Sequence, residues 1–88
     1  MNDNIYTTPE LPLASYLLSI GEELIGTEFG NSFRATFVFK SSPSLKQAVL
    51  DWANGTAKVN PRRYSENIKA LKALAKSSFA EDQKKGNK

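Results

Sequence analysis

Hydrophobic residues recur at three- and four-residue intervals in three segments of the chain, which is the spacing of an amphipathic helix. Each segment begins with a residue whose side-chain oxygen can cap a helix, followed by a proline: Thr8-Pro9, Ser42-Pro43 and Asn60-Pro61. The pattern predicts helices over about residues 9–20, 43–53 and 61–78. Gly21 and the pair Asn54-Gly55 are expected to end the first two helices.

The apolar stripes of these helices predict which side chains face the core. The second helix has the clearest order, with apolar residues at i, i+3, i+4 and i+7, and its Trp52 is most simply a core anchor. The predicted core positions are Leu13, Leu17 and Ile20 in the first helix, Leu45, Ala48, Val49 and Trp52 in the second, and Tyr64, Ile68, Leu71 and Ala75 in the third.

Between the first two helices the spacing changes to strict alternation, which is typical of β-strands. Ile25 and Phe29 are expected on one face of a first strand, and Gly30-Asn31 as a two-residue turn. The second strand should direct alternate residues toward the core, namely Phe33, Ala35, Phe37 and Phe39. Because a two-stranded sheet is weak alone, we expect a third strand, from residues 5–7 or 56–59.

These elements predict one small α+β domain in the order α-β-β-α-α, with an antiparallel hairpin packed against helices. A chain of 88 residues supports a single hydrophobic core. We expect the globular domain to span residues 1–80, and the polar, charged segment 81–88 to be a frayed tail.

The composition narrows the possible chemistry. The chain has no cysteine and no histidine, so it lacks thiolate nucleophiles, disulfides, the commonest general base and the commonest transition-metal ligand. Neither a signal peptide nor an apolar stretch of membrane-spanning length is recognisable. We therefore expect a cytoplasmic protein without enzymatic activity, metal, cofactor or membrane partner.

Charge is strongly segregated along the chain. Residues 1–33 hold five acidic residues and no Lys or Arg, whereas residues 34–80 hold nine basic and two acidic residues. If the two segments keep separate faces in the folded protein, one face attracts polyanions or acidic proteins. Alternatively, the two segments neutralise each other across the core, and the sequence leaves both arrangements open.

The third predicted helix carries a row of polar and basic side chains opposite its apolar stripe. At about 100° per residue, five of them fall within about 80° of one another around the axis. We call this row the basic ridge: Arg62, Ser65, Lys69, Lys72 and Lys76. It can follow a phosphate backbone, because each cation displaces a condensed counterion. The simpler alternative is the solvated face that any amphipathic helix needs.

Several short motifs also resemble those of a known family. They are residues 14–21 with Leu24-Ile25-Gly26, Phe37-Val38-Phe39 with Ser42-Pro43-Ser44-Leu45, Trp52-Ala53-Asn54-Gly55 with Val59-Asn60-Pro61-Arg62, and residues 68–74. Over about residues 6–75 the chain resembles a small family of unknown function from bacteria, phages and mobile elements. The motifs are caps, turns and core positions, so the resemblance implies a fold and an accessory role in such genomes, but no reaction.

The predicted function is therefore a non-enzymatic binding module that engages nucleic acid or a nucleic-acid-processing complex. The predicted contacts are Arg62, Arg63, Lys69, Lys72 and Lys76. The alternative is a protein-interaction adaptor or inhibitor that uses both charged surfaces, in which Glu22, Glu23 and Glu28 matter as much as the bases. The sequence leaves the oligomeric state open.

Overall fold

Three antiparallel strands and three helices make up the fold, which confirms the predicted α+β class. The structure is a computed structural model that describes residues 4–29 and 35–86, with side chains described as far as Ser77. In chain order the elements are β1 (Ile5–Thr8), α1 (Leu11–Ser19), β2 (Leu24–Phe29), β3 (Ala35–Lys40), α2 (Pro43–Asn54) and α3 (Pro61–Gly86). The observed order is therefore β-α-β-β-α-α, which is the predicted order with one additional strand before the first helix.

The third strand comes from the start of the chain. The sheet order is β1-β3-β2, and β1 pairs with β3 from Ile5 opposite Lys40 to Thr8 opposite Phe37. Residues 56–59 form no strand, so that alternative was wrong. Because β3 is flanked on both edges, three consecutive residues of this strand are buried, from Phe37 to Phe39. The predicted inward positions of Phe37 and Phe39 are confirmed.

A β-bulge changes which residues of β2 face the core. Leu24 pairs with Phe39 and Gly26 pairs with Val38, so Ile25 is an extra residue in the ladder. Leu24 packs against the core, whereas Ile25 is 55% exposed. The expectation that Ile25 shares a face with Phe29 was wrong, because one inserted residue reverses the alternation. The predicted turn at Gly30-Asn31, like Phe33, lies outside the described residues.

Side-chain caps begin α2 and α3 as predicted. The Ser42 hydroxyl accepts a hydrogen bond from the Leu45 backbone N–H at 3.0 Å. The Asn60 side-chain oxygen accepts from the backbone N–H groups of Arg62 and Arg63, at 3.0 and 3.1 Å. Both helices therefore start at the proline that follows the cap.

The start of α1 departs from this scheme. Thr8 pairs with Phe37 in the sheet, so it is extended and the helix begins only at Leu11. Its hydroxyl accepts from the Glu10 backbone N–H at 3.1 Å, bridging the strand and the helix. Glu10 occupies the cap position but makes no side-chain cap bond. The sheet pairing thus overrode the local capping signal of Thr8-Pro9.

The predicted stop at Gly21 is confirmed by its backbone geometry. Gly21 has φ of +98°, a left-handed conformation that favours glycine. Its N–H donates to the Leu18 carbonyl at 3.2 Å, and the N–H of Glu22 donates to the Leu17 carbonyl at 3.0 Å. This pair of bonds is a Schellman motif, which ends α1 and sets the position of Glu22.

Helix α1 occupies the centre of the domain and is buried on nearly all sides. It contacts α2, α3 and β1. Its buried residues are Leu13, Ala14, Ser15, Tyr16, Leu17 and Ser19. A single apolar stripe was predicted, with Ile20 as a member, but Ile20 is 39% exposed. The predicted stripe was too narrow because three elements cover the helix.

Trp52 is confirmed as a core anchor, and its contact explains how α2 is held. Its indole ring stacks on the ring of Tyr16, with 5.3 Å between centroids and a 30° tilt. Leu45 and Ala48 are buried on the same helix. Burial, assisted by the negative charge of Asp51, raises the pKa of Tyr16 above its ordinary value of 10.0. The Tyr16 phenol is therefore neutral at physiological pH.

Helix α3 extends beyond its predicted end at Ser78. Its backbone stays helical to Gly86, through most of the segment expected to be a polar tail. The helix is anchored mainly by Leu71, which is 2% exposed, and by Tyr64 and Ala75 at its edges.

A carboxylate links the end of the first helical region to the start of α2. The Glu22 carboxylate accepts hydrogen bonds from the hydroxyls of Ser42 and Ser44, at 3.0 and 2.7 Å. A negative charge is favourable at a helix N-terminus, because the helix dipole is positive there. Glu22 thus orients α2 and is not a free member of an acidic surface.

We expect Leu71→Ala to lower the free energy of unfolding by about 3 kcal/mol, because it leaves a cavity beneath α3. The matched control is Leu74→Ala, which makes the same chemical change on the same helix at a side chain that is 37% exposed. Urea denaturation followed by Trp52 fluorescence measures both. Equal losses in the two variants would contradict the assignment of Leu71 as the anchor.

Glu22→Gln should lower the unfolding free energy by about 1 kcal/mol, since charge-assisted hydrogen bonds and a favourable helix-end charge are lost. Glu23→Gln removes the same charge from the next, exposed residue and should change stability little. The same denaturation assay distinguishes them. A Glu23 variant as unstable as the Glu22 variant would show that the hydrogen bonds of Glu22 to Ser42 and Ser44 contribute nothing specific.

Candidate functional site

The basic ridge lies on the exposed side of α3. Arg62, Lys69, Lys72 and Lys76 are all exposed. Leu71, on the opposite side of the helix, is buried in the core. At a rise of about 1.5 Å per residue, the four cations span about 21 Å along the axis. The structure thus brings together four of the five predicted contact residues as one row of positive charge.

The direction of α3 is set by polar contacts with α1. Asn67 donates from its side-chain nitrogen to the Ser19 hydroxyl at 2.8 Å. Ser19 in turn donates to the Ser15 backbone carbonyl at 2.6 Å. Both serines are buried, and among the described residues no buried side-chain N or O atom lacks a hydrogen-bond partner. Small, satisfied side chains therefore let the two helices approach and fix their relative orientation.

Arg63, the fifth predicted contact, points elsewhere. Its guanidinium Nη1 donates to the Ser19 backbone carbonyl at 3.3 Å, at the C-terminal end of α1. A cation is favourable there, because the helix dipole is negative at its C-terminus. Arg63 follows Arg62 by one residue, or about 100° around the axis, so helical geometry alone separates it from the ridge. Its role in the structure is to join α3 to α1.

Acidic side chains border the ridge only partly. Glu66 is exposed on α3, about 40° around the axis beyond Arg62. Glu23 and Glu28 are exposed at the start of β2 and within it, whereas Glu22 is half-buried and bonded to α2. Of the three glutamates that the sequence suggested for an acidic surface, Glu22 is therefore bonded within the protein. Its partners, Ser42 and Ser44, were not predicted from the sequence.

Nowhere in residues 4–29 and 35–77 do three or more acidic side chains come close enough to hold a metal ion. Of the helices described, none combines the length and apolarity needed to cross a membrane. The basic ridge is the arrangement of exposed side chains with the most evident binding chemistry in this part of the chain.

A family model matches residues 3–77, which is most of the chain. The chain belongs to the DUF5659 family. These are domains of unknown function, so membership supports the fold-level resemblance and assigns no activity to this DUF5659 domain. Neither a curated protein nor a solved structure shows significant similarity to it.

The contact between Ser19 and Asn67 in this DUF5659 domain can be measured with a double-mutant cycle. Ser19→Ala and Asn67→Ala, alone and combined, should give a coupling energy of about 1 kcal/mol in denaturant unfolding, while differences in helix propensity cancel. A control cycle of Ser19→Ala with Lys69→Ala should give none, because Lys69 is exposed on the far side of α3. A coupling energy near zero for Ser19 and Asn67 would refute the proposed orientation of α3.

Proposed function

We propose that this domain is a non-enzymatic binding module that engages nucleic acid, or a nucleic-acid-processing complex, through the basic ridge of α3. The observation that supports the proposal is the exposure of Arg62, Lys69, Lys72 and Lys76 on one face of an anchored helix. The same proposal places the protein in the cytoplasm, as a short accessory protein of a bacterial or phage genome.

Four exposed cations in one row suit a polyanion better than a single small anion. A nucleic-acid backbone carries regularly repeated phosphates, and each cation that neutralises one releases condensed counterions. If all four contact phosphates of a duplex, the logarithm of the binding constant falls with the logarithm of salt at a slope of about −3.6. Affinity then drops by about 100-fold between about 50 and 200 mM salt.

The backbone of α3 is held by the rest of the domain, which favours binding because this backbone does not have to become ordered when the ligand binds. The first turn of α3 is capped by Asn60, and its central turns are held by Leu71 and by the Asn67 contact with α1. Binding then costs mainly the freedom of the lysine side chains. A preorganised backbone therefore leaves more of the electrostatic gain as affinity.

A protein-interaction adaptor or inhibitor is the second candidate, and it has less support. That hypothesis uses an acidic surface that includes Glu22, Glu23 and Glu28, together with the bases. Because the Glu22 carboxylate already accepts two hydrogen bonds at α2, Glu23 and Glu28 remain as the exposed members of this trio. Single exposed charges attract a partner only weakly in physiological salt.

The test is binding of the full chain to labelled DNA and RNA over a salt series. We expect Lys69→Glu combined with Lys72→Glu to abolish measurable binding or to reduce the salt slope by about 2, because two phosphate contacts are replaced by repulsion. Fluorescence anisotropy provides the affinities.

The matched control is Lys40→Glu combined with Lys46→Glu. It changes the net charge by the same amount at exposed positions on β3 and α2, which are not part of the ridge. This control should retain most of the affinity. If both double variants lose affinity equally, the attraction is a property of net charge and not of the ridge. Absence of binding at low salt would leave a protein partner as the surviving hypothesis.

A further inference from the structure

We infer that the ligand of the basic ridge is double-helical nucleic acid, bound along one row of phosphates without readout of the bases. This inference rests on the proposed function and names the ligand class within it. Three features of the described residues lead to it: where the aromatic side chains lie, how charge is distributed around α3, and how the charges are spaced along it.

The aromatic side chains that the structure describes are buried or half-buried, so they offer no exposed ring for stacking on unpaired bases. Proteins that bind single strands generally combine a basic groove with exposed aromatic rings, which contribute much of the affinity. The chain has nine aromatic residues, and none of those with described side chains is exposed. The buried or half-buried ones are Tyr6, Tyr16, Phe29, Phe37, Phe39, Trp52 and Tyr64. Within the described side chains, a single strand would therefore meet cations but no stacking surface.

The charge around α3 suits one row of phosphates and not two. The exposed arc of the helix covers about 200°, and the ridge cations occupy only one side of it. The other side holds Glu66, the small residues Ala70, Ala73 and Ser77, Leu74, and Arg63, whose guanidinium donates to the Ser19 carbonyl. A recognition helix in the major groove lies between two phosphate rows and directs hydrogen-bonding side chains at base edges. Here the second flank offers an acid, small and apolar residues and a cation already bonded to α1, so α3 is better suited to lie along one edge of a groove.

The spacing of the cations favours a stiff, densely charged ligand. The row is straight and about 21 Å long, which equals about six base pairs measured along the axis of a duplex at about 3.4 Å each. A duplex carries one charge per about 1.7 Å of axis and its axis is already straight over this length, so phosphates stay within reach of the row, whereas a single strand has to be straightened. Each duplex contact also contributes about 0.9 to the salt slope, against about 0.7 for a single strand.

The difference in slope gives a quantitative expectation. For four contacts the slopes are about −3.6 and −2.8, and if the two ligands bind equally at about 1 M salt, this difference amounts to about tenfold in affinity near 50 mM salt. We therefore expect duplex DNA and duplex RNA each to bind about tenfold more tightly than a single strand. Because no base is read, duplexes of different sequence should differ by less than about threefold, well below the cost of one mismatched base pair in a specific site.

The experiment measures anisotropy for the full chain with mixed-sequence duplex DNA, duplex RNA and oligothymidylate of the same length, at one low salt concentration. The variant Lys69→Glu with Lys72→Glu and the control Lys40→Glu with Lys46→Glu are measured alongside. Tighter binding of the duplexes, lost in the ridge variant and kept in the control, is the expected result.

Two kinds of failure can be told apart. Oligothymidylate binding as tightly as duplex, or a duplex sequence preference well above threefold, overturns the inference of backbone-only duplex binding; if the ridge variant still loses that binding, the proposed function survives. Binding that is absent, or unaffected by the ridge variant, overturns both. Circular dichroism of each variant confirms that a loss of binding does not come from unfolding.

Discussion

The burial of α1 in the centre of the domain is the constraint on which the other elements depend. A helix of nine residues contacts α2, α3 and β1, so it has almost no face left for water. Its polar side chains must therefore find partners inside the protein. Ser15 and Ser19 bond to backbone carbonyls one turn earlier, and Ser19 also accepts from Asn67. These small residues satisfy their own hydrogen bonds while allowing α3 to pack closely.

The orientation of the surface follows from this buried centre. The left-handed turn at Gly21 ends α1 and places Glu22 where its carboxylate binds the first turn of α2. Two residues of α3, Arg63 and Asn67, donate hydrogen bonds to Ser19 at the C-terminal end of α1 and so join the two helices. Two charged residues that look like surface charge in the sequence thus act as structural links. The exposed cations that lie in one row are those on the outer side of α3.

This separation of roles gives the proposed function its physical basis. The face of α3 that contacts the core contributes Leu71 and the partly buried Tyr64, and the face away from the core contributes the cations. Because the aromatic side chains that the structure describes are used for packing, the proposed affinity for a nucleic acid would come from electrostatics. Electrostatic attraction to phosphates is strong in low salt and indifferent to base sequence.

The sequence by itself determined the local features: the caps at Ser42 and Asn60, the turn at Gly21, the inward side of β3 and the row of cations on α3. Each depends on residues within one or two turns or on simple periodicity, so neighbours in the chain suffice to specify it. Tertiary structure decided the rest. Contacts between residues distant in sequence decided that Ile5–Thr8 and not residues 56–59 forms the third strand, and they placed the bulge at Ile25. They also account for the all-round burial of α1 and for the bonds of Glu22 and Arg63. Such contacts depend on which surfaces meet when the core forms. The periodicity of residues along the chain reports only which face of an element is apolar, so it does not specify these contacts.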